Sequence, residues 1–166
     1  MTEPQTPEPQ TLPTPAPLWR RTLAFLVDVA VLLPLLVGLA WVWQRLFEIQ
    51  LPAERLPLFD WVVQLHLQDD PLVPGGVLVG ALVAGAYFGV GWLLWGTSVG
   101  MRLLGLGVVD GRHGVPGPAA ATTRVLGAGL SAAYLGLGFV WILFDAHRQG
   151  FHDKIAGTYV VRIKGR

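Results

Sequence analysis

One aspartate lies inside an apolar run in which it is nearly the only charge. The run is "RRTLAFLVDVAVLLPLLVGLAWVW", residues 20–43, and Asp28 is its only charged residue after Arg21. On insertion scales, a carboxylate near the middle of a membrane helix costs about 2.5–3.5 kcal/mol. It is tolerated when it has a partner, and such groups often bind protons or ions. Asp28 is therefore either half of a buried ion pair or a site of proton or cation exchange.

The spacing between Arg21 and Asp28 argues against a direct pair between them. Seven helical steps of 100° return Asp28 to within about 20° of Arg21, but the rise separates them by about 10 Å. Arg21 can also extend towards water at the helix end. We therefore expect Asp28 to face the protein interior and to meet a cation from elsewhere. Arg124 is the first candidate for this cation, and Arg148 is the second.

A second cluster of chemically active side chains lies in "DAHRQGFHD", residues 145–153. Its members are Asp145, His147, Arg148, His152 and Asp153. A metal site would need several of them to converge, and Arg148 and Lys154 would repel a cation there. We therefore predict no metal. Instead, Asp153 is expected to cap or clamp the backbone and to pair with Arg102 or Arg124.

The rest of the composition excludes several functional classes. No serine or threonine lies next to an obvious base, so we predict no enzyme activity and no cofactor. The chain has no cysteine, which excludes thiol catalysis. The glycines after residue 95 do not form a phosphate-binding loop. A formal net charge of +1, without a basic run, indicates no nucleic-acid partner.

The apolar content predicts an all-α integral membrane protein. Charged residues make up 14% of the chain and apolar residues 52%, whereas a soluble domain has about 25% charged residues. Residues 18–43 and 77–95 are each long enough to cross a bilayer, which takes about 20 residues. Residues 125–144 form a third apolar segment that either spans the membrane or re-enters it. The fold class is thus a small helical bundle in contact with the lipid bilayer.

The remaining segments are polar or short. Residues 1–17 contain six prolines and predict a disordered tail, followed by a membrane domain over residues 18–166. Residues 44–76 form an acidic loop, in which residues 57–67 carry apolar side chains at helical spacing, as in a helix on the membrane surface. Residues 96–123 contain a strand and turn. The β-type stretches at 102–110 and 156–164 are expected to pair as a small sheet.

Basic residues beside the apolar runs predict the orientation. Arg20 and Arg21 place the N-terminus in the cytoplasm and the acidic loop outside. As a separate expectation, the membrane is taken to be the inner (cell) membrane of a bacterium. The tail at residues 145–166 carries five basic residues, which favours a cytoplasmic position for it. That position requires the third apolar segment to turn back, and we expect the turn at "LGLG", residues 135–138. A full span, favoured by the segment's length, is the alternative.

The second apolar run carries a stripe of small residues. Ala81, Gly85 and Gly89 recur every four positions, and such stripes allow two helices to pack closely. The partner helix is either in the same chain or in a second copy, so the stripe is a candidate homo-oligomer contact.

These motifs together resemble the RDD family of small membrane proteins, which is named for one arginine and two aspartates. "RRTLAFLVD" supplies Arg21 and Asp28, and "GTSVGMRLLGLGVVDGRHG" resembles the family's turn and strand. Arg124 opens the next apolar run, and "FDAHRQGFHDKIAGTYVV" resembles the closing motif, with Asp153 as the second aspartate. The resemblance covers residues 19–163. Val99 and Met101 stand where the family usually has proline and lysine.

The resemblance implies a transport-related function with an unidentified ligand or a small cation as the transported species. On this hypothesis Asp28 is the carboxylate that alternates between cation and proton. Two or three membrane segments are too few to enclose a path, so transport would need an oligomer. The alternative is a membrane scaffold or assembly factor without transport, in which the arginines and aspartates are structural ion pairs.

Overall fold

The computed structural model describes residues 15–49, 57–67, 70–134 and 136–163. Most of the predicted tail, residues 1–14, lies outside these ranges. The described helices and strands are α1 (Leu18–Phe47), α2 (Leu58–Leu67), α3 (Leu72–Trp95), α4 (Val99–Leu103), β1 (Leu106–Asp110), α5 (Pro118–Ala133), α6 (Leu137–Val140), a 3₁₀ turn (Trp141–Leu143), α7 (Phe151–Ile155) and β2 (Thr158–Arg162).

Helix α1 is one of two described helices that are long and apolar enough to cross a membrane. It begins after Pro17 and contains Pro34. Its buried residues Ala24, Asp28 and Leu32 are four positions apart, so a single stripe faces the protein. The helix continues to Phe47, four residues beyond the predicted end, and stops where Glu48 adopts a left-handed conformation (φ 51°).

Helix α3 is the second such helix and runs antiparallel to α1. At one end, Trp43 Nε1 donates to the Leu72 carbonyl (2.9 Å). Further along α3, Tyr87 contacts Asp28 near the middle of α1, so the two helices run in opposite directions. The helix begins five residues before the predicted position, because prolines are compatible with a first helical turn. It ends at Gly96, whose φ of 64° suits glycine.

A small antiparallel sheet lies at the end of the helix pair where α1 begins and α3 ends. Strands β1 and β2 pair with Leu106 opposite Arg162 and Asp110 opposite Thr158, which confirms the predicted pairing. Ala16 donates its N–H to the Val160 carbonyl (2.8 Å), so β2 also contacts the residues that precede α1. Residues 98–110 and 150–162 are called the cap from here on.

The described core lies where the cap meets the two long helices. Its buried apolar members are Ala16, Ala24, Trp92, Leu106, Val108 and Val160. Away from this region, the long helices carry exposed apolar side chains, such as Leu35, Leu78 and Leu82. This distribution is typical of helices whose outer faces contact lipid.

The third apolar segment is sharply bent. Helix α5 and the following α6 with its 3₁₀ turn are inclined at 112°. Gly136, with a φ of 79°, lies at the bend, within the stretch where the turn was predicted; Leu135 is outside the described residues. Strand β1 precedes this segment and β2 follows it, and the two strands pair. The segment therefore returns to the end of the helix pair from which it started. The arrangement agrees with the re-entrant interpretation.

Helix α5 packs against the small-residue stripe of α3. A Cβ at Gly85 or Gly89 would lie 3.4 or 3.2 Å from the Val125 side chain. Part of the stripe therefore serves contacts within the chain, whereas Ala81 is exposed. Association of two copies through this stripe stays a prediction.

Helix α2 confirms the short helix that was predicted within the acidic loop. It spans Leu58–Leu67, and Phe59 and Leu67 are 76% and 74% exposed. Its position on the membrane surface stays a prediction.

Candidate functional site

Asp28 forms the first of two buried carboxylate centres. The side chain belongs to the buried stripe of α1 and is 2% exposed. Tyr87 Oη and the Gly100 N–H donate to its Oδ1, each at 2.7 Å, and Ser98 Oγ donates to its Oδ2 at 2.6 Å. Three donors on a carboxylate stabilise its charge without a cation. The donors come from α3 and from the first turn of α4.

The local sequence explains how α4 reaches Asp28. Ser98 is the N-cap of α4, and its Oγ accepts from the Met101 N–H, which is the usual role of serine at this position. Gly100 lies against α1, and a Cβ there would collide with the carbonyl of Ala24. The pairing of Ala24 with Gly100 thus lets the two backbones approach and brings the Gly100 N–H to Asp28.

The predicted cation partner of Asp28 was wrong. Neither Arg124 nor Arg148 contacts Asp28, and no cationic side chain among the described residues does so. The physical reason is that two hydroxyl groups and one backbone N–H already satisfy the carboxylate, so a buried guanidinium is not required. The inward orientation of Asp28 was predicted correctly.

Asp153 forms the second centre and joins three elements. Arg21 Nη2 donates to its Oδ2 at 2.5 Å, and the Gly150 N–H donates to the same oxygen at 3.0 Å. Arg124 Nη1 donates to its Oδ1. The prediction that Asp153 clamps the backbone and pairs with Arg124 is confirmed, with Arg21 as an additional partner. Asp153 is fully buried, so this carboxylate ties α7 to both α1 and α5.

Arg124 has an unusual position for a guanidinium, because it is 1% exposed. Besides Asp153, it donates to Thr158 Oγ1 (2.8 Å) on β2. Its Cζ lies 4.5 Å from the centre of the Trp92 ring, a distance typical of a cation–π contact. Arg124 therefore connects the third apolar segment to α3 and to the sheet.

The charges of this centre shift the pKa values of its acidic and imidazole groups. Burial alone would raise the pKa of Asp153, but the neighbouring cations, chiefly Arg124, lower it well below the usual range. Burial lowers the pKa of His152 to about 4, and Asp153 opposes that shift while Arg124 and Arg21 add to it. His152 is thus neutral at pH 7, with Nε2 3.4 Å from Asp153 Oδ1.

The other predicted site residues do not join either centre through their side chains. Asp145 accepts from Lys154 Nζ (2.7 Å) and from two backbone N–H groups in the turn before α7. Arg148 contributes only its carbonyl, which accepts from Arg21 Nη1 (2.5 Å), and its side chain is exposed. Within the described ranges, no group of three acidic or imidazole side chains is placed to hold a metal.

A family model described as RDD family matches residues 15–157, most of the chain. This chain belongs to the RDD family. No curated protein and no solved structure matches it. The arginine and two aspartates that resemble the RDD motif are Arg21, Asp28 and Asp153. The structure divides them between the two centres, since Arg21 binds Asp153 and Asp28 binds α4.

The three residues that donate to Asp28 were missed by sequence reasoning, as were the contacts of Arg124 with Trp92 and Thr158. Tyr87 lies in an apolar run that was interpreted by its length and its stripe of small residues, and Ser98 and Gly100 lie in the RDD-type turn "GTSVGM". Ser98 alone is a weak N-cap signal. A capping box has Glu or Gln three residues after the serine, and here that position is Met101. A tyrosine hydroxyl in a spanning run was the clearer signal, since a buried hydroxyl needs a partner.

Proposed function

We propose that this RDD protein is a membrane scaffold without transport activity, in which two aspartates hold the cap rigidly on the helix pair. The observation that carries the proposal is the hydrogen bonding of Asp28. Both of its oxygens are occupied by donors from Tyr87, Ser98 and Gly100. A carboxylate that exchanges ions must break or reorient such bonds in each cycle, and here that would weaken the attachment of α4 to α1.

The second centre supports the same function. Arg21, Arg124 and Asp153 connect α1, α5 and α7, so a single carboxylate joins three elements that are far apart in sequence. Removing one member of such a buried group leaves an uncompensated charge, which costs about 3–5 kcal/mol. On this proposal the RDD residues are structural. Their interactions hold the cap in one position, so that it forms a fixed surface at one face of the membrane.

We further propose that the cap faces the cytoplasm of a bacterial cell. Most of the basic side chains of the described residues lie at the end where α1 begins, including Arg20, Arg21, Arg112 and Arg162. The opposite end has Arg45 beside Glu48, Asp60 and Asp70. Cytoplasmic segments carry the excess of basic residues in membrane proteins.

Cation/proton exchange is the second candidate, and the chemistry of the Asp28 donors favours it. Tyr87 and Ser98 contact the carboxylate through hydroxyl groups, which can rotate and offer a lone pair instead of a proton. A carboxylate with hydroxyl oxygens is also a suitable oxygen ligand set for a hard cation. On this alternative the protein would act as an oligomer.

Exchange in proteoliposomes separates the two functions. The purified protein is reconstituted with a pH-sensitive dye inside the vesicles, and gradients of Na⁺, K⁺ and Li⁺ are applied. The scaffold proposal predicts the same slow proton leak as in protein-free vesicles.

Two variants identify the carboxylate if exchange is observed. Asp28→Asn removes the exchangeable proton at the buried centre, and Asp60→Asn is the control because Asp60 is exposed on α2. Exchange that is lost only in Asp28→Asn would overturn the scaffold proposal in favour of the second candidate. Exchange that persists in both variants would overturn the scaffold and also exclude Asp28 as the exchanging group.

A further inference from the structure

A cavity of about 490 Å³ opens beside the cap, between the last turns of α3 and helix α4. Its apolar wall consists mainly of Ala86, Val90, Trp95 and Val99. These four side chains are exposed in the chain, so the cavity opens on the outer surface of the helices.

The hydroxyl groups in this cavity are already used within the protein. Tyr87 and Ser98 donate to Asp28, and Thr97 Oγ1 is bonded to the carbonyls of Ser98 and Leu106. Besides the indole N–H of Trp95, Arg102 is the remaining polar side chain of the lining, and it is the charged one. Its side chain is exposed and forms no ion pair with any of the described residues. One positive charge is therefore available to a ligand.

The charged and apolar parts of the cavity lie at different depths. Helix α4 runs beside α1. Ser98, at its start, binds Asp28, and the Leu104 carbonyl, at its end, accepts from Arg20 (3.4 Å). Arg102 is therefore near the end of the helix pair. Ala86 precedes the end of α3 by nine residues, about 14 Å along the helix axis. The cavity thus has a cationic outer end and an apolar inner end.

We propose that this cavity binds an anionic glycerophospholipid, with its phosphate on Arg102 and an acyl chain along Ala86 and Val90. A guanidinium binds a phosphate through charge-assisted hydrogen bonds. Trp95, which also lines the cavity, is 58% exposed. Tryptophan favours the headgroup level of a bilayer. This inference is independent of the proposed function, because it involves neither transport nor the bonds of Asp28.

Native mass spectrometry of the full-length protein in detergent tests the headgroup contact. We expect phosphatidylglycerol to be retained in preference to phosphatidylcholine. A basic residue near an anionic headgroup contributes about 1 kcal/mol, which is about a fivefold change in affinity. Arg102→Gln should reduce the preference by about this factor, and Arg112→Gln should leave it unchanged, because Arg112 lies in the turn after β1. Equal reductions in both variants would overturn the proposal, since lipid would then respond only to net charge.

Two further measurements test the acyl chain. Val90→Trp should fill the cavity and reduce phosphatidylglycerol retention severalfold, whereas Val77→Trp, at the other end of α3, should not. Retention that is the same in both variants would place the lipid elsewhere and overturn the proposal. Inorganic phosphate at the lipid concentration should not displace the lipid, because it lacks the chain; displacement at equal concentration would show a phosphate site without a lipid role.

Discussion

At the scale of single residues, the protein buries two carboxylates by different means. Asp28 accepts hydrogen bonds from neutral groups, whereas Asp153 contacts two guanidinium groups. Neutral donors leave no charge behind when the carboxylate is removed, but buried arginines do. The two aspartates of the RDD motif should therefore respond differently to the same substitution.

Asp28→Asn should retain most of the stability that Asp28→Ala loses. The asparagine oxygen can accept from Tyr87 and the Gly100 N–H, and its NH₂ group can donate to Ser98 Oγ. Alanine leaves three donors without an acceptor, and each of the two buried ones, Ser98 Oγ and the Gly100 N–H, costs about 1–3 kcal/mol. We expect a loss of about 3 kcal/mol or more for alanine and about 1 kcal/mol for asparagine, measured by thermal unfolding in detergent. Equal losses would show that the charge of Asp28, rather than its hydrogen bonds, stabilises the fold.

His152 should make the protein less stable in mild acid. Its pKa is about 4 in the folded protein and 6.5 in an unfolded chain. Below pH 6.5 the unfolded chain therefore takes up a proton that the folded protein does not. The contribution of neutral His152 to the free energy of unfolding should be fully present above pH 6.5. It should fall by about 3 kcal/mol as the pH decreases to 4.

Unfolding of the detergent-solubilised protein between pH 7 and pH 4 measures this effect. His152→Gln should flatten the decrease over that range, and the matched variant His147→Gln, at an exposed position, should not. A decrease that is unchanged in His152→Gln would assign the acid sensitivity to other groups. Asp153, whose pKa is lowered, adds a further loss at still lower pH.

At the scale of elements, the short helix α4 depends on contacts with α1. A helix of five residues has little stability of its own. Ser98 caps it, Gly100 permits its close approach to Ala24, and Asp28 accepts from its first turn. Sequence patterns do not detect such a helix, because it is shorter than two turns and its stability comes from a distant residue. The predicted β-type stretch accordingly began too early, at Arg102 instead of Leu106.

Gly100→Ala should separate α4 from α1. The added Cβ would collide with the Ala24 carbonyl and lie 3.0 Å from Asp28 Cγ, so the helix must shift and lose the bond from the Gly100 N–H. Overpacking and an unpaired donor together should cost about 2–3 kcal/mol, measured by thermal unfolding. The control is Gly129→Ala in α5, where a Cβ meets nothing within 4 Å and should be neutral or slightly stabilising. Similar unfolding temperatures for the two variants would contradict the close contact.

At the scale of the whole molecule, the sequence predicted the helices better than the contacts between them. Apolar length identified α1 and α3, β-type residues and turn signals identified the paired strands, and the glycines at 136 and 138 identified the bend. The partner of Asp28 could not be predicted this way, since a carboxylate's partner depends on which donors the folded chain brings near it. The pairing of Asp153 with Arg124 could be predicted, because Arg124 is one of few cationic residues next to an apolar run.

Cysteine labelling tests the arrangement of the whole chain across the membrane. The chain contains no cysteine, so single substitutions can be labelled cleanly. Gly111→Cys and Arg162→Cys should behave alike, because β1 and β2 pair, and Pro71→Cys should behave oppositely. With a cytoplasmic cap, an impermeant thiol reagent added to intact cells should label only Pro71→Cys. Different labelling of Gly111→Cys and Arg162→Cys would contradict the fold, whereas labelling of both, with Pro71→Cys protected, would overturn only the orientation.

The pairing of β2 with β1 and with Ala16 also constrains how the protein is made. During translation, α1 and α3 leave the ribosome and enter the bilayer before Asp153 and β2 have been synthesised. Until then Arg21 and Arg124 have no carboxylate partner, and they must remain in contact with water or lipid headgroups. The two guanidinium groups can be paired with a carboxylate and buried only after Asp153 has been synthesised. Burial of these charges is therefore a late step that closes the membrane domain, and a ribosome stalled before residue 153 would hold an inserted helix pair without its cap.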